Sequence, residues 1–196
     1  MARPRKFEGE IITFEKILNA ARLEFADQSH AARLEDIGKR CGLTRTAILH
    51  HFGSKKVLLD AVFEQAVNNA SARVLRVAQA NEDNYAETIR SIALALRQLE
   101  KDEPGTSAVV AHVLLTKPVV EPLKKIFQDL LGLITRLVIK AGGGQHHSHD
   151  LIRAAIAHIF MGELNRLALG TQAQDYWGEA DPLMPILNHF FQLPTL

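Results

Sequence analysis

At 196 residues with 47% hydrophobic and 23% charged, the chain can bury a sizeable core as one domain or as a small domain fused to a larger one. No stretch approaches roughly 18 uninterrupted apolar residues and the charged start lacks an apolar signal core, so neither a membrane span nor secretion is expected, and a cytoplasmic address is. The net charge of +1 hides an asymmetry: Lys and Arg number 11 against 7 Asp and Glu in residues 1–56, and 12 against 15 in the remainder, which makes one end basic and the other acidic.

In chain order, Arg3, Pro4, Arg5 and Lys6 form a short basic arm, read either as a minor-groove or phosphate contact or as a solvated tail. Phe14, Ile17, Leu18, Ala21 and Phe25 then give a first helix its apolar face. The second is short. Leu34, Ile37 and Cys41 make its stripe, and Glu35 and Asp36 lie in its first turn, where the macrodipole favours negative charge. Gly42 ends it, Leu43 plugs the turn, and Thr44 caps a third helix from Arg45 to His51. This third helix buries Ile48 and leaves Arg45, Thr46 and His50 pointing outward. Ser54 caps a fourth helix beginning near Lys55, with Leu58, Val62 and Ala66 on its face, which runs toward Ala80 and joins the two regions. The lone cysteine excludes an internal disulfide, and its place on an apolar stripe favours a packed thiol over a redox sensor.

Beyond the motif the pattern stays helical. Ile89, Ile92, Ala93, Leu96 and Leu99 mark a fifth helix, and Ala108 to Leu115 a sixth that must stop by Lys117, before Pro118. Leu123 through Val138 make a long seventh, ended by Gly142, Gly143 and Gly144. An eighth from about Ser148 to Leu169 and a ninth from about Pro182 to Phe191 carry more apolar surface than one buried stripe requires. No strand alternation competes. The expected fold is all-α, about nine helices in two parts: a three-helix DNA-binding domain over residues 1–56, with its helix-turn-helix at about 33–52, and a helical ligand-binding and dimerisation domain over 57–196.

The segments ILNAARLEFAD and LEDIGKRCGLTRTAILHHFGSKKVLL, in that order near the N-terminus, resemble the DNA-binding domain of TetR-type transcriptional regulators, with HHFGSK the most specific piece. The resemblance covers Ile17 to Leu59; the remainder is similar only in being helical and of suitable length. It implies a homodimeric regulator that binds a palindromic operator and is released by a small molecule. Thr44, Arg45, Thr46, His50, His51 and Lys55 are the expected DNA contacts, with Lys55 matching the family's phosphate-gripping lysine. Arg33 stands where the family usually has a threonine before the second helix, and Ala47 and Leu49 stand where it often has a threonine and an aromatic. Arg33 would replace a hydroxyl contact with a charged one.

Helices eight and nine are expected to pair with their symmetry mates in a four-helix homodimer interface. Helices five to eight supply a mostly apolar cavity for an apolar or amphipathic effector, with His112, Thr116, Phe127, His158 and Glu163 as the residues that would line or orient it. His146, His147 and His149 have the spacing of a metal site, but they follow three glycines without a cysteine and read as a polar loop. No cofactor is called for. A phosphate-binding loop, GxSxG and HExxH are all missing, so an enzyme is not expected. A constitutive DNA binder without an inducer, a metal-responsive regulator and a helical enzyme remain as alternatives.

Overall fold

The computed structural model describes residues 6–81, 84–115, 120–142 and 147–193, with side chains described from Thr13 onward. Helix α1 spans Lys6–Gln28 and runs into a single 3-10 turn at Ser29–Ala31; α2 is Leu34–Cys41, α3 Arg45–Phe52 and α4 Lys55–Ala80. Helices α5 (Tyr85–Asp102), α6 (Thr106–Leu115), α7 (Glu121–Lys140) and α8 (His149–Leu169) follow. A second 3-10 turn leads into the four-residue α9 (Gln174–Trp177), and α10 (Leu183–Phe190) ends the described chain. The all-α expectation holds, with no strand among the described residues. α9, which carries the exposed Tyr176 and the chain's one tryptophan, Trp177, was not anticipated, because four residues give no helical period to read.

Two hydrophobic cores share one long helix. The first gathers Ile17, Leu18, Ala21 and Phe25 of α1 with Ile37, Ile48, Phe52, Leu58 and Val62, and it takes Val109 from α6. The second holds Phe63, Ala66, Val67, Ala70, Val74 and Ala78 of the same α4 against α5, α7, α8 and α10. The sequence division at residues 56 and 57 therefore falls in the first turn of α4, and the N-terminal core reaches on to Val62. Phe14 sits at the rim, 39% exposed, with its ring stacked on Phe52 at 4.8 Å.

A second bridge between the cores runs from α1 to α6. The buried Arg22 guanidinium donates to the Thr106 hydroxyl at 3.4 Å and lies 3.9 Å from the Glu103 carboxylate. Burial lowers its pKa, opposed by Glu103 and Glu100. On the same seam, His112 Nδ1 shares a hydrogen bond of 2.8 Å with the hydroxyl of Ser29, in the turn after α1. His112 is thus a seam residue and is not among the residues that line the apolar cavity of the second core.

The turn between α2 and α3 depends on two glycines. Gly42 takes φ 72°, the left-handed conformation that ends many helices, and the Leu43 amide then reaches back to the Gly38 carbonyl at 2.9 Å. A Cβ at Gly38 would lie 2.4 Å from the Leu43 carbonyl oxygen, so the chain can fold back this closely only because no side chain is there.

Two measurable consequences follow from these contacts. Gly38→Ala should lower stability by about 1–3 kcal/mol in chemical denaturation, the usual cost of overpacking, and should loosen α3; unchanged stability would mean that the turn relaxes freely. The second concerns His112, whose pKa is lowered by burial first and then by the neighbouring His30 and Lys55 charges. Its folded pKa therefore lies below its unfolded one. The stability it contributes is present above an unfolded pKa of about 6.5 and is lost as pH falls through that value, where the unfolded chain takes up a proton that the folded one resists. Between pH 7.5 and pH 5.5 the wild-type Tm should accordingly fall further than that of His112→Gln; equal falls would remove His112 as the cause.

Candidate nucleic-acid interface

α3 is held from below and open above. Ile48 and Phe52 are buried in the first core, while Arg45, Thr46, His50 and His51 are exposed and Leu49 is half-buried against the core. The Thr44 hydroxyl oxygen accepts from the Ala47 amide at 3.1 Å and so caps the helix, leaving its own proton free to donate outward. No acidic residue lies on α3, and the helix presents its N-terminus, a threonine, an arginine and two imidazoles to solvent. The His50 and His51 rings meet edge to face, with centroids 5.8 Å apart.

The cations around α3 are less free than the sequence suggests. Arg45 lies 3.3 Å from Glu35 in an exposed pair, an interaction of the kind usually worth under about 1 kcal/mol. Lys55 donates to the carbonyls of His30 and Ala32, each at 2.8 Å, so two of its three protons fasten the start of α4 to the turn after α1. The third takes no part in these two bonds. Arg33, extended and exposed at the start of α2, makes no side-chain capping bond. Of the basic arm, Arg3 and Arg5 lie outside the described residues, and Lys6 is the first residue of α1 rather than ahead of it.

Arg40 positions the motif in a way that sequence reasoning did not find. Its guanidinium donates to Glu24 at 2.9 Å and to Asp27 at 2.6 Å, clamping the end of α2 onto α1. The partners are 16 and 13 residues away on another helix, so no local spacing announces them. Cys41, half-buried, donates its thiol proton to the Ile37 carbonyl at 3.2 Å, and burial pushes the thiol up, as expected of a packed cysteine.

Within the second core lies an apolar cavity of about 110 Å³ lined mainly by α4, α5, α7, α8 and α10, among them Val67, Leu96, Ile134, Phe160 and Leu187. Of the sequence candidates, Phe127 and Glu163 border it. His158 does not: it is exposed, with Nδ1 donating to the Ala154 carbonyl of its own helix. Thr116 lies outside the described residues. The polar rim is Glu163 together with Glu100, Thr106 and Ser107; the Glu100 carboxylate accepts from the Gly105 and Ser107 amides at 2.8 and 2.7 Å and so caps α6. Of the histidine cluster, His146 lies outside the described residues, and His149 is the exposed first residue of α8. His147 Nε2 donates to the Phe190 carbonyl at 2.8 Å, and its ring stacks on Phe190. Among the described residues no three His, Cys, Asp or Glu side chains converge as metal ligands, and no helix is long and apolar enough to cross a membrane.

A family model described as "Bacterial regulatory proteins, tetR family" matches residues 17–62, the stretch from the middle of α1 through α2 and α3 into α4. The transcriptional activator FasR of Mycolicibacterium smegmatis is 24% identical over 146 residues, 74% of this chain and 67% of FasR. The transcriptional regulator UidR of Escherichia coli is 39% identical over 62 residues, a match spanning 31% of this chain and 32% of UidR. In fold, the crystal structure of the TetR family transcriptional regulator PfmR from Thermus thermophilus aligns with a TM-score of 0.67 at 15% identity, over 90% of this chain and 95% of that one. The matched sequence contains the whole helix-turn-helix, and the fold continues beyond it as in PfmR; residues 17–62 are a TetR-type DNA-binding helix-turn-helix.

Proposed function

We propose that the protein is a cytoplasmic, ligand-responsive repressor that binds a palindromic operator as a homodimer and is released by a small apolar or amphipathic molecule. The observation that carries the reading is the join between the two cores: α4 belongs to both, and the cavity lies against its middle turns, at Ala66, Val67 and Ala70. A ligand that prefers a wider cavity shifts the population toward a different α4 placement, and the two recognition helices leave the spacing of about 34 Å that successive major grooves require. DNA contact falls to Arg33, Thr44, Arg45, Thr46, His50 and His51, with Lys55 offering its remaining proton to a phosphate and Arg3, Arg5 and Lys6 as an N-terminal supplement. The division of labour is a DNA-binding part at residues 1–56 and a ligand-binding and dimerisation part at 57–196.

The dimer reading rests on surface left uncovered. Only Ile152, Ile156 and Leu164 of the 21-residue α8 are buried, while Leu151 on α8 and Ile186 on α10 are each 47% exposed. Pairing α8 and α10 with their symmetry mates would cover them. Activation is the second reading, because FasR is an activator by name.

Selection of bound sequences from random DNA should return an inverted repeat, and footprinting at that site should be lost on adding an apolar effector. Binding without sequence preference would overturn the regulator reading, and binding indifferent to a broad panel of apolar compounds would favour a constitutive binder. Lys55→Ala should weaken binding by a similar factor at every sequence and reduce the salt slope by about one, whereas Thr46→Ala should change base preference; the opposite pattern would refute the assignment of roles. A light-scattering mass of one chain at micromolar concentration would sink the dimer.

A further inference from the structure

Glu163, which borders the cavity, belongs to an ion-pair cluster whose parts differ in how firmly they are fixed. Arg97 on α5 donates through Nε to Glu163 Oε1 at 2.5 Å, and Arg166 donates to both Glu163 oxygens, at 2.8 and 2.7 Å. These three side chains stand on long helices and are mostly covered. Two guanidinium groups against one carboxylate leave a net charge of +1. The compensating charge comes from Asp181, which lies in the stretch joining α9 to α10 with its side chain 51% exposed. Its two oxygens accept from Arg97 Nη1 and Nη2 in the paired geometry that arginine offers any carboxylate.

Asp181 also governs the cavity's outer wall. The oxygen that accepts from Arg97 Nη2 accepts from the Leu183 amide at 3.0 Å, fixing the first residue of α10, and α10 with the residue after it supplies Leu183, Leu187 and Phe191 to the cavity. Beyond Glu163 and Leu183 is an open cleft of about 240 Å³ bordered by His158, Arg166, Trp177 and Ile186. Cleft and cavity share Ile159, Glu163 and Leu183. The cavity alone is smaller than the roughly 300 Å³ at which small-molecule sites usually begin, so a ligand of ordinary size needs both spaces.

We propose that Arg97, Arg166 and Glu163 form an anion subsite that Asp181 occupies in the unliganded protein, and that the effector is a monoanionic amphiphile. Its carboxylate replaces Asp181 on Arg97, and its apolar tail passes Leu183 into the cavity. Loss of the Asp181 bond to the Leu183 amide frees the start of α10, so the anion that displaces Asp181 also loosens the wall its tail must pass. The proposal rests on the reading of the cavity as an effector site, and it names the chemistry of that effector.

Octanoate, 1-octanol and octyltrimethylammonium differ in headgroup charge and not in tail, and Trp177, the single tryptophan, borders the cleft and reports on it by fluorescence. Octanoate should change that fluorescence and raise Tm at concentrations where the other two do neither. Asp181→Asn keeps an oxygen for the Leu183 amide but gives up the charge, and it should lower the octanoate Kd by roughly tenfold while leaving 1-octanol unchanged. Arg97→Met should abolish the preference for octanoate. An equal response to octanoate and 1-octanol, or an octanoate Kd unmoved by Asp181→Asn, overturns the anion subsite and leaves the apolar cavity standing. A response to none of the three probes overturns the subsite together with the effector reading beneath it.

Discussion

Burial of α4 on two sides at once is the constraint from which the rest of the molecule follows. Its first two turns give Leu58 and Val62 to the core beneath the helix-turn-helix, and the turns from Phe63 onward give their apolar side chains to the larger core. A helix committed to both cores cannot shift in one without disturbing packing in the other, because interiors at near-crystalline density transmit displacement instead of absorbing it. Lys55 and Ser54 fix where this helix starts. The ammonium grips two carbonyls after α1, and the Ser54 hydroxyl oxygen accepts from the Val57 amide at 3.2 Å. The α1–α6 seam, with Arg22 on Thr106 and Ser29 on His112, runs beside it and makes the connection two-stranded in the mechanical sense.

Whatever is local in the chain is legible in its sequence. Gly42, Leu43 and Thr44 act as a helix stop, a plug and a cap because those roles are set by backbone conformation and by hydrogen bonds within a few residues. The long helices were equally clear, since Ile89 to Leu99 and Leu123 to Val138 repeat at helical spacing over several turns. Lys55 stood out from the resemblance, yet its two carbonyl partners did not, because they belong to a turn more than 20 residues earlier whose placement depends on α1.

The larger domain was harder to read for the same reason. A histidine on an apolar helix has no sequence signature that says which neighbour it will meet. His112 turns to the seam with α1, and His158 turns outward, whereas Glu163 and Phe127 reach the cavity. Asp181 and Arg97 are 84 residues apart, and the ion pair between them exists only because α10 folds back beside α5. Polar residues in the long helices are thus spent in three ways: on the seam, on the cavity wall and on solvent. Periodicity alone does not divide them.

The surface pair between Arg45 and Glu35 changes how the recognition helix meets a polyanion. In the proposed DNA-binding role of Arg45, a phosphate that engages it would displace a resident competitor, the Glu35 carboxylate one helix earlier. Such a contact gains less than a bare arginine would provide, and it gains least at random positions along a duplex, where nothing else repays the exchange. In that proposed role an internal counter-anion on the helix would act as a filter against idle sticking and would leave discrimination to uncharged groups such as Thr46.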